Sequence, residues 1–298
     1  MKLPVWRQLP YVSPSTFMKW ESCQHRVYLS RLAGLKYHRE PQGLAAAIGS
    51  AFDSFIKDYI AQKRGIKAGA LDLNNLLSKT VAKEHQEAAI PKGKEICKIY
   101  VDLGLAEQFL DPSVDIRLDQ EMYYMHQTIP ILGQLDLIID GKPMDWKTGG
   151  FTSVKGGYCT KGWEKKIDVK GDQVKNYETN DPRPLEQGNP AWATQMCFYN
   201  WMLRNIAQTY TIHEIKQHSG TISFATHTGS ISKEFEDDVF SRLNCMWANI
   251  TGEMFHAHIQ EPTPSQWVCR KYHVLCEVAT DCVFFMRTLG DPDNKDYN

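Results

Sequence analysis

The chain has 298 residues, 42% of them hydrophobic and 23% charged, with a formal net charge of −1. That length supports one large or two modest hydrophobic cores, and the near-zero charge excludes a globally basic protein, so any nucleic-acid surface has to be local. No apolar run reaches the roughly 18 residues a membrane helix needs, and the opening MKLPVWRQLPYVSPS lacks the apolar stretch of a secretion signal.

A cytoplasmic protein without membrane association is the expectation, and the eight cysteines are then expected to be reduced rather than paired. Residues 11–35 begin with Ser13-Pro14-Ser15, which predicts a helix with Ser13 as its N-cap and proline at the first position, where a missing N–H costs nothing. Phe17, Trp20, Val27, Tyr28 and Leu29 give it an apolar face, with Cys23 between them. Residues 44–63 predict a second helix, with Ile48, Phe52, Phe55, Ile56 and Tyr59 on one face. Asp53 lies beside that stripe, and Gly49 one turn earlier leaves room for a close approach. Residues 68–110 read as helical and carry no evident chemistry, and 114–129 alternate enough to be strands.

Residues 131–150, ILGQLDLIIDGKPMDWKTGG, organise the rest. Two apolar runs flank a Gly-Lys-Pro turn and predict a β-hairpin. Alternate side chains of a strand share a face, so Asp145 and Lys147 project together while Trp146 points into packing, and Asp136 on the neighbouring strand can join them. Two hard carboxylates and an ammonium on one face suit Mg²⁺-assisted hydrolysis of a phosphodiester, the metal held by acids and substrate phosphate and the lysine orienting water. The plain alternative is an exposed hairpin with solvated charges.

Residues 151–190 show no clear periodicity and predict a long basic loop. Lys161, Lys165 and Lys166 are interleaved there with Tyr158 and Trp163, a mixture that suits single-stranded nucleic acid or else a solvated insertion. Residues 191–207 predict an apolar helix with Gln195 and Tyr199 four apart on one face. A strand over 221–228 and a helix over about 233–258 follow. The end holds Cys269, Cys276 and Cys282 within a short span, with His273 among them. With one distant cysteine these make an iron–sulfur site, a zinc site, or three unrelated buried thiols.

Taken in order, Ser13-x-Ser15 ahead of Cys23, Gly49-x3-Asp53, Gly133-x2-Asp136, Asp145-Trp146-Lys147-Thr148-Gly149, Gln195-x3-Tyr199 and the terminal cysteines resemble the RecB-type branch of the PD-(D/E)xK nucleases. The iron–sulfur members are nearest: AddB nuclease domains, CRISPR-associated RecB-like exonucleases and related phage exonucleases. The resemblance runs from Ser13 to Cys282. It implies an α/β restriction-endonuclease-like core, a short mixed sheet flanked by helices, in a single domain spanning 1–298 with a helical insertion at 60–110 and a cysteine lobe at 262–285. It also implies Mg²⁺ or Mn²⁺ bound by Asp136, Asp145 and the Trp146 carbonyl, with Asp53 where the family usually has histidine. Lys147 would position or activate water, and Gln195 and Tyr199 would steady the site or the strand. A structural [4Fe-4S] cluster would be held by Cys23, Cys269, Cys276 and Cys282, with His273 the alternative to Cys269 and Zn²⁺ the alternative metal.

The expected activity is metal-dependent DNA exonuclease action on single-stranded ends, in recombination, repair or phage replication, in a bacterial cell or phage-infected host. The alternatives are a structure-specific endonuclease and a non-catalytic nucleic-acid-binding protein that keeps the fold; recombination or replication proteins are the partners such a role implies.

Overall fold

In a computed structural model of the chain, residues 9–32, 43–66, 72–149, 165–178, 189–218 and 220–251 are described. They form a mixed α/β fold whose elements run α1 (Pro14–Ser22), α2 (Gln24–Val27), α3 (Leu44–Arg64), α4 (Leu73–Thr80), α5 (Gln86–Asp102), β1 (Ile116–His126), β2 (Ile129–Ile139), β3 (Lys142–Gly149), β4 (Lys165–Lys170), β5 (Gln173–Glu178), α6 (Pro190–Met202), β6 (Thr209–His218), β7 (Thr221–Ser230) and α7 (Lys233–Thr251). The strands make one seven-stranded mixed sheet in the order β1-β2-β3-β6-β7-β4-β5. Only β3 and β6 run parallel among the registered pairs; they are joined by a long connection that includes α6, as a parallel pair requires.

The chain divides into two compact units: Met1–Glu40, Tyr123–Gly133 and Lys233–Asn298 in one, Pro41–Met122 and Gln134–Ser232 in the other. In the first, the Ser13 hydroxyl caps α1 by accepting from the Thr16 N–H at 3.1 Å. α1 stops at Ser22 because Cys23 is extended, and α2 restarts the helix at once. Phe17 is fully buried, with the Arg242 guanidinium of α7 over its ring at 5.6 Å.

The second unit holds the larger core. Phe52, Ile56 and Ile60 from α3 meet Ile96 and Tyr100 from α5 against Trp146, Ile215 and Phe224 of the sheet. Each such side chain contributes on the order of 1.5–3 kcal/mol by leaving water. The α3–α5 crossing is close because α5 carries Gly93 there. A Cβ at that position would lie 2.6 Å from the Ala51 Cβ and 2.7 Å from the Phe52 backbone nitrogen.

Three strands depart from the sequence expectation. The expected loop contains the β4–β5 hairpin, turned by Gly171 at φ 56° and Asp172, with Ile167 and Val169 buried on alternate positions. Its signal was a two-residue glycine turn inside a lysine-rich stretch whose charges mask the alternation. β6, with no counterpart in the sequence reading, sits between β3 and β7, and its mixed residues are buried by two neighbours rather than by an obvious pattern. The apolar helix also ends at Met202, five residues early.

Candidate active site

The β2–β3 hairpin turns on Asp140 and Gly141, both at positive φ (47° and 74°), one step before the Gly-Lys-Pro turn expected; Lys142 and Pro143 already belong to β3. Such a two-residue turn needs left-handed backbone at both positions, which Asp and Gly tolerate. The register it sets pairs Ile139 with Lys142 and Leu137 with Met144, so the next step brings Asp136 opposite Asp145.

Asp145 is 1% exposed, and its Oδ1 has no hydrogen-bond donor. Its carboxylate faces that of Asp136, and two carboxylates in contact repel unless a proton or cation lies between them. Burial, with Asp136 adding to it, pushes Asp145 up to about 6 even though Lys147 opposes the shift. The other oxygen, Oδ2, accepts from the Lys147 ammonium. Lys147 also donates to Gln195 Oε1 at 2.8 Å, Gln195 Nε2 donates to the Tyr199 hydroxyl at 2.9 Å, and Tyr199 donates to the Gln134 carbonyl at 2.7 Å. One α6 face thus fixes the lysine by a chain of hydrogen bonds that ends on the β2 backbone. Burial raises the Tyr199 phenol above its ordinary range, so it stays a donor.

A second group lies alongside. Lys57 of α3, 2% exposed, places its Nζ 2.7 Å from Asp53 Oδ2, 2.7 Å from Asp119 Oδ1 and 2.8 Å from Asp136 Oδ1. Burial alone would lower this ammonium, but the three acids outweigh it and hold the group above its usual range. Burial and Asp136 push Asp53 up to about 7. Burial also works to raise Asp136, yet Lys57 and Lys147 bring it below the usual carboxylate value. Sequence reasoning missed Lys57 and Asp119. Lys57 had a signal, four residues after Asp53 and on the apolar side of the same helix. Asp119 had none: it reaches Lys57 from a left-handed kink at φ 48° inside β1.

Behind the hairpin, Trp146 projects opposite to Asp145 and Lys147, edge-on to Phe52 and Phe109. Its indole N–H donates to the Tyr100 hydroxyl at 3.4 Å, and that hydroxyl is also bonded to His213 Nδ1. Burial, with a smaller contribution from His227, lowers His213 to about 3, so the ring is neutral. Gly49 lets α3 approach β3: a Cβ there would stand 2.0 Å from the Thr148 Oγ1.

Among the described residues, no three His, Cys, Asp or Glu side chains converge to hold a metal ion. Asp136 and Asp145 converge as a pair, while the Asp53 carboxylate is taken by Lys57. Lys165 and Lys166 open β4. Cys23 is a buried free thiol at the break between α1 and α2. Tyr158, Lys161, Trp163, Cys269, His273, Cys276 and Cys282 lie outside the described residues.

No protein-family profile matches the chain, and no curated protein does. Among solved structures it is similar to a crystal structure named "Putative exonuclease" from Eubacterium rectale, at 12% identity over 87% of this chain and 85% of that one, with a TM-score of 0.48. No helix among the described residues is long and apolar enough to cross a membrane.

Proposed function

We propose that this chain is a metal-dependent nuclease that hydrolyses DNA phosphodiesters, acting as an exonuclease on single-stranded ends. One observation carries the reading: the buried, donorless Asp145 Oδ1 facing Asp136, with Lys147 held on the same face by Gln195. An orphaned buried acceptor costs about 1–3 kcal/mol, which a cation between the two carboxylates would recover. Two carboxylates with a backbone carbonyl suit Mg²⁺ or Mn²⁺, which keep waters and take phosphate oxygens for the rest of their coordination. Asp136, Asp145 and the Trp146 carbonyl would hold that ion, which supplies charge for the phosphate and a more acidic water.

The protein's own groups do the remainder. Lys147 orients the attacking water and balances charge on the phosphate, and Gln195 and Tyr199 keep its ammonium from swinging away. Water adds to phosphorus as the P–O bond to the departing nucleotide breaks, and the leaving oxygen takes up a proton. Lys165 and Lys166, with the aromatic and basic residues at 158–163, supply the strand contacts in this reading. A cluster on Cys23, Cys269, Cys276 and Cys282 would join the two ends of the chain. Brown protein with visible absorption marks iron–sulfur, and colourless protein marks zinc.

Lys147→Ala separates chemistry from binding. Single-turnover cleavage is expected to fall by about 10²–10⁴-fold, the usual contribution of a positioned proton-transfer group, while the DNA affinity measured by gel shift stays within about threefold. Unchanged cleavage in the variant would overturn the assignment.

A further inference from the structure

We propose that Lys57 is a built-in second cation: its ammonium fills the position among Asp53, Asp119 and Asp136, so this centre takes one divalent ion, between Asp136 and Asp145, rather than two. The inference rests on the nuclease reading above and concerns what the centre binds.

Three carboxylates meet at one ammonium. An ammonium has three N–H donors, and Lys57 has three carboxylate oxygens at 2.7, 2.7 and 2.8 Å. Its ammonium donates to Asp119 and Asp136 and pairs with Asp53 as well, so Lys57 acts on the reaction through the acids it holds. It is therefore a positioning residue. The three acids come from α3, β1 and β2, and Asp119 adopts left-handed backbone where it reaches Lys57. A second metal ion would have to displace a tethered, buried ammonium from all three.

Charge gives the same count. Four carboxylates, Asp53, Asp119, Asp136 and Asp145, face two ammoniums, Lys57 and Lys147, which leaves a formal charge of −2. One divalent ion neutralises that, whereas a second would leave the pocket positive before substrate arrives. The unsatisfied atom agrees: the Asp145 Oδ1 is donorless, while Asp53, Asp119 and Asp136 each have an oxygen on Lys57.

The test counts Mn²⁺ on the full chain, purified without oxygen, by equilibrium dialysis with electron paramagnetic resonance as a second readout. Wild type is expected to hold one Mn²⁺ per chain and Asp145→Asn none. Lys57→Met, which leaves the three acids without their cation, is expected to hold two, with spin coupling between them. Lys57→Gln is the second variant should Lys57→Met fail to fold, and the wild-type count decides even without either. Two ions on wild type, or one on folded Lys57→Met at unchanged affinity, would overturn the inference while leaving metal-dependent cleavage standing. No Mn²⁺ on wild type would remove the metal from the proposed function and this inference with it.

Discussion

His213 ties the stability of the hairpin's supporting core to pH. It is buried and neutral, with its ring nitrogens on Tyr100 and Gln108, and its folded value of about 3 lies well below the 6.5 of a free histidine. A depressed histidine contributes its full stability above the unfolded value. As pH falls through 6.5 the unfolded chain takes a proton that the native chain refuses, so stability declines until the native ring also protonates near 3. Between pH 7.5 and 5.0 that amounts to about 2 kcal/mol for this one group, a sizeable part of a typical 5–15 kcal/mol. Asp53 and Asp145, raised to about 7 and 6, work the other way, because the native state takes up their protons first on acidification. The assay therefore needs a difference: urea unfolding of wild type and His213→Gln across that range. The advantage of wild type over the variant should shrink by about 2 kcal/mol on going to pH 5.0. A difference that stays flat would refute the neutral, buried histidine.

Two further outcomes follow from packing and hydrogen bonding. Gly49→Ala puts a methyl 2.0 Å from the Thr148 Oγ1, so the Thr148 side chain has to turn away or α3 has to shift, with Asp53 and Lys57 on the same helix; a loss of about 1–3 kcal/mol by thermal unfolding is expected, with reduced cleavage. Tyr199→Phe removes the hydroxyl that accepts from Gln195 and donates to the Gln134 carbonyl, and should cost about 1 kcal/mol of stability and slow single-turnover cleavage with unchanged DNA affinity.

How much of this was legible follows from the range of each interaction. The Ser13 cap, the apolar stripe of α3 and the alternation in β2 and β3 are local patterns, and each announced its element. Asp136, Asp145 and Lys147 were readable because strand alternation fixes faces within a few residues. Gln195 and Tyr199, four apart on a helix, were readable as a pair, though not that Gln195 would close on Lys147. What stayed hidden depends on distant chain. Asp119 acts only through a kink that no residue type announces, and Lys57 becomes a site residue only once β1 and β2 bring their acids to it. β6 is defined by the strands on either side of it, and the Tyr100–His213 bond joins residues 113 apart.

The proposed cation-dependent hydrolysis at Asp136 and Asp145 is open to a direct test. The most direct measurement incubates the full protein with end-labelled linear and circular single-stranded DNA, in Mg²⁺, Mn²⁺ or EDTA, beside Asp145→Asn. Linear DNA is expected to be degraded with either metal, but not with EDTA and not by the variant, and circles are expected to stay intact. Cutting of circles would make the protein an endonuclease, and cleavage that persists in EDTA or in Asp145→Asn would contradict the assignment of this centre.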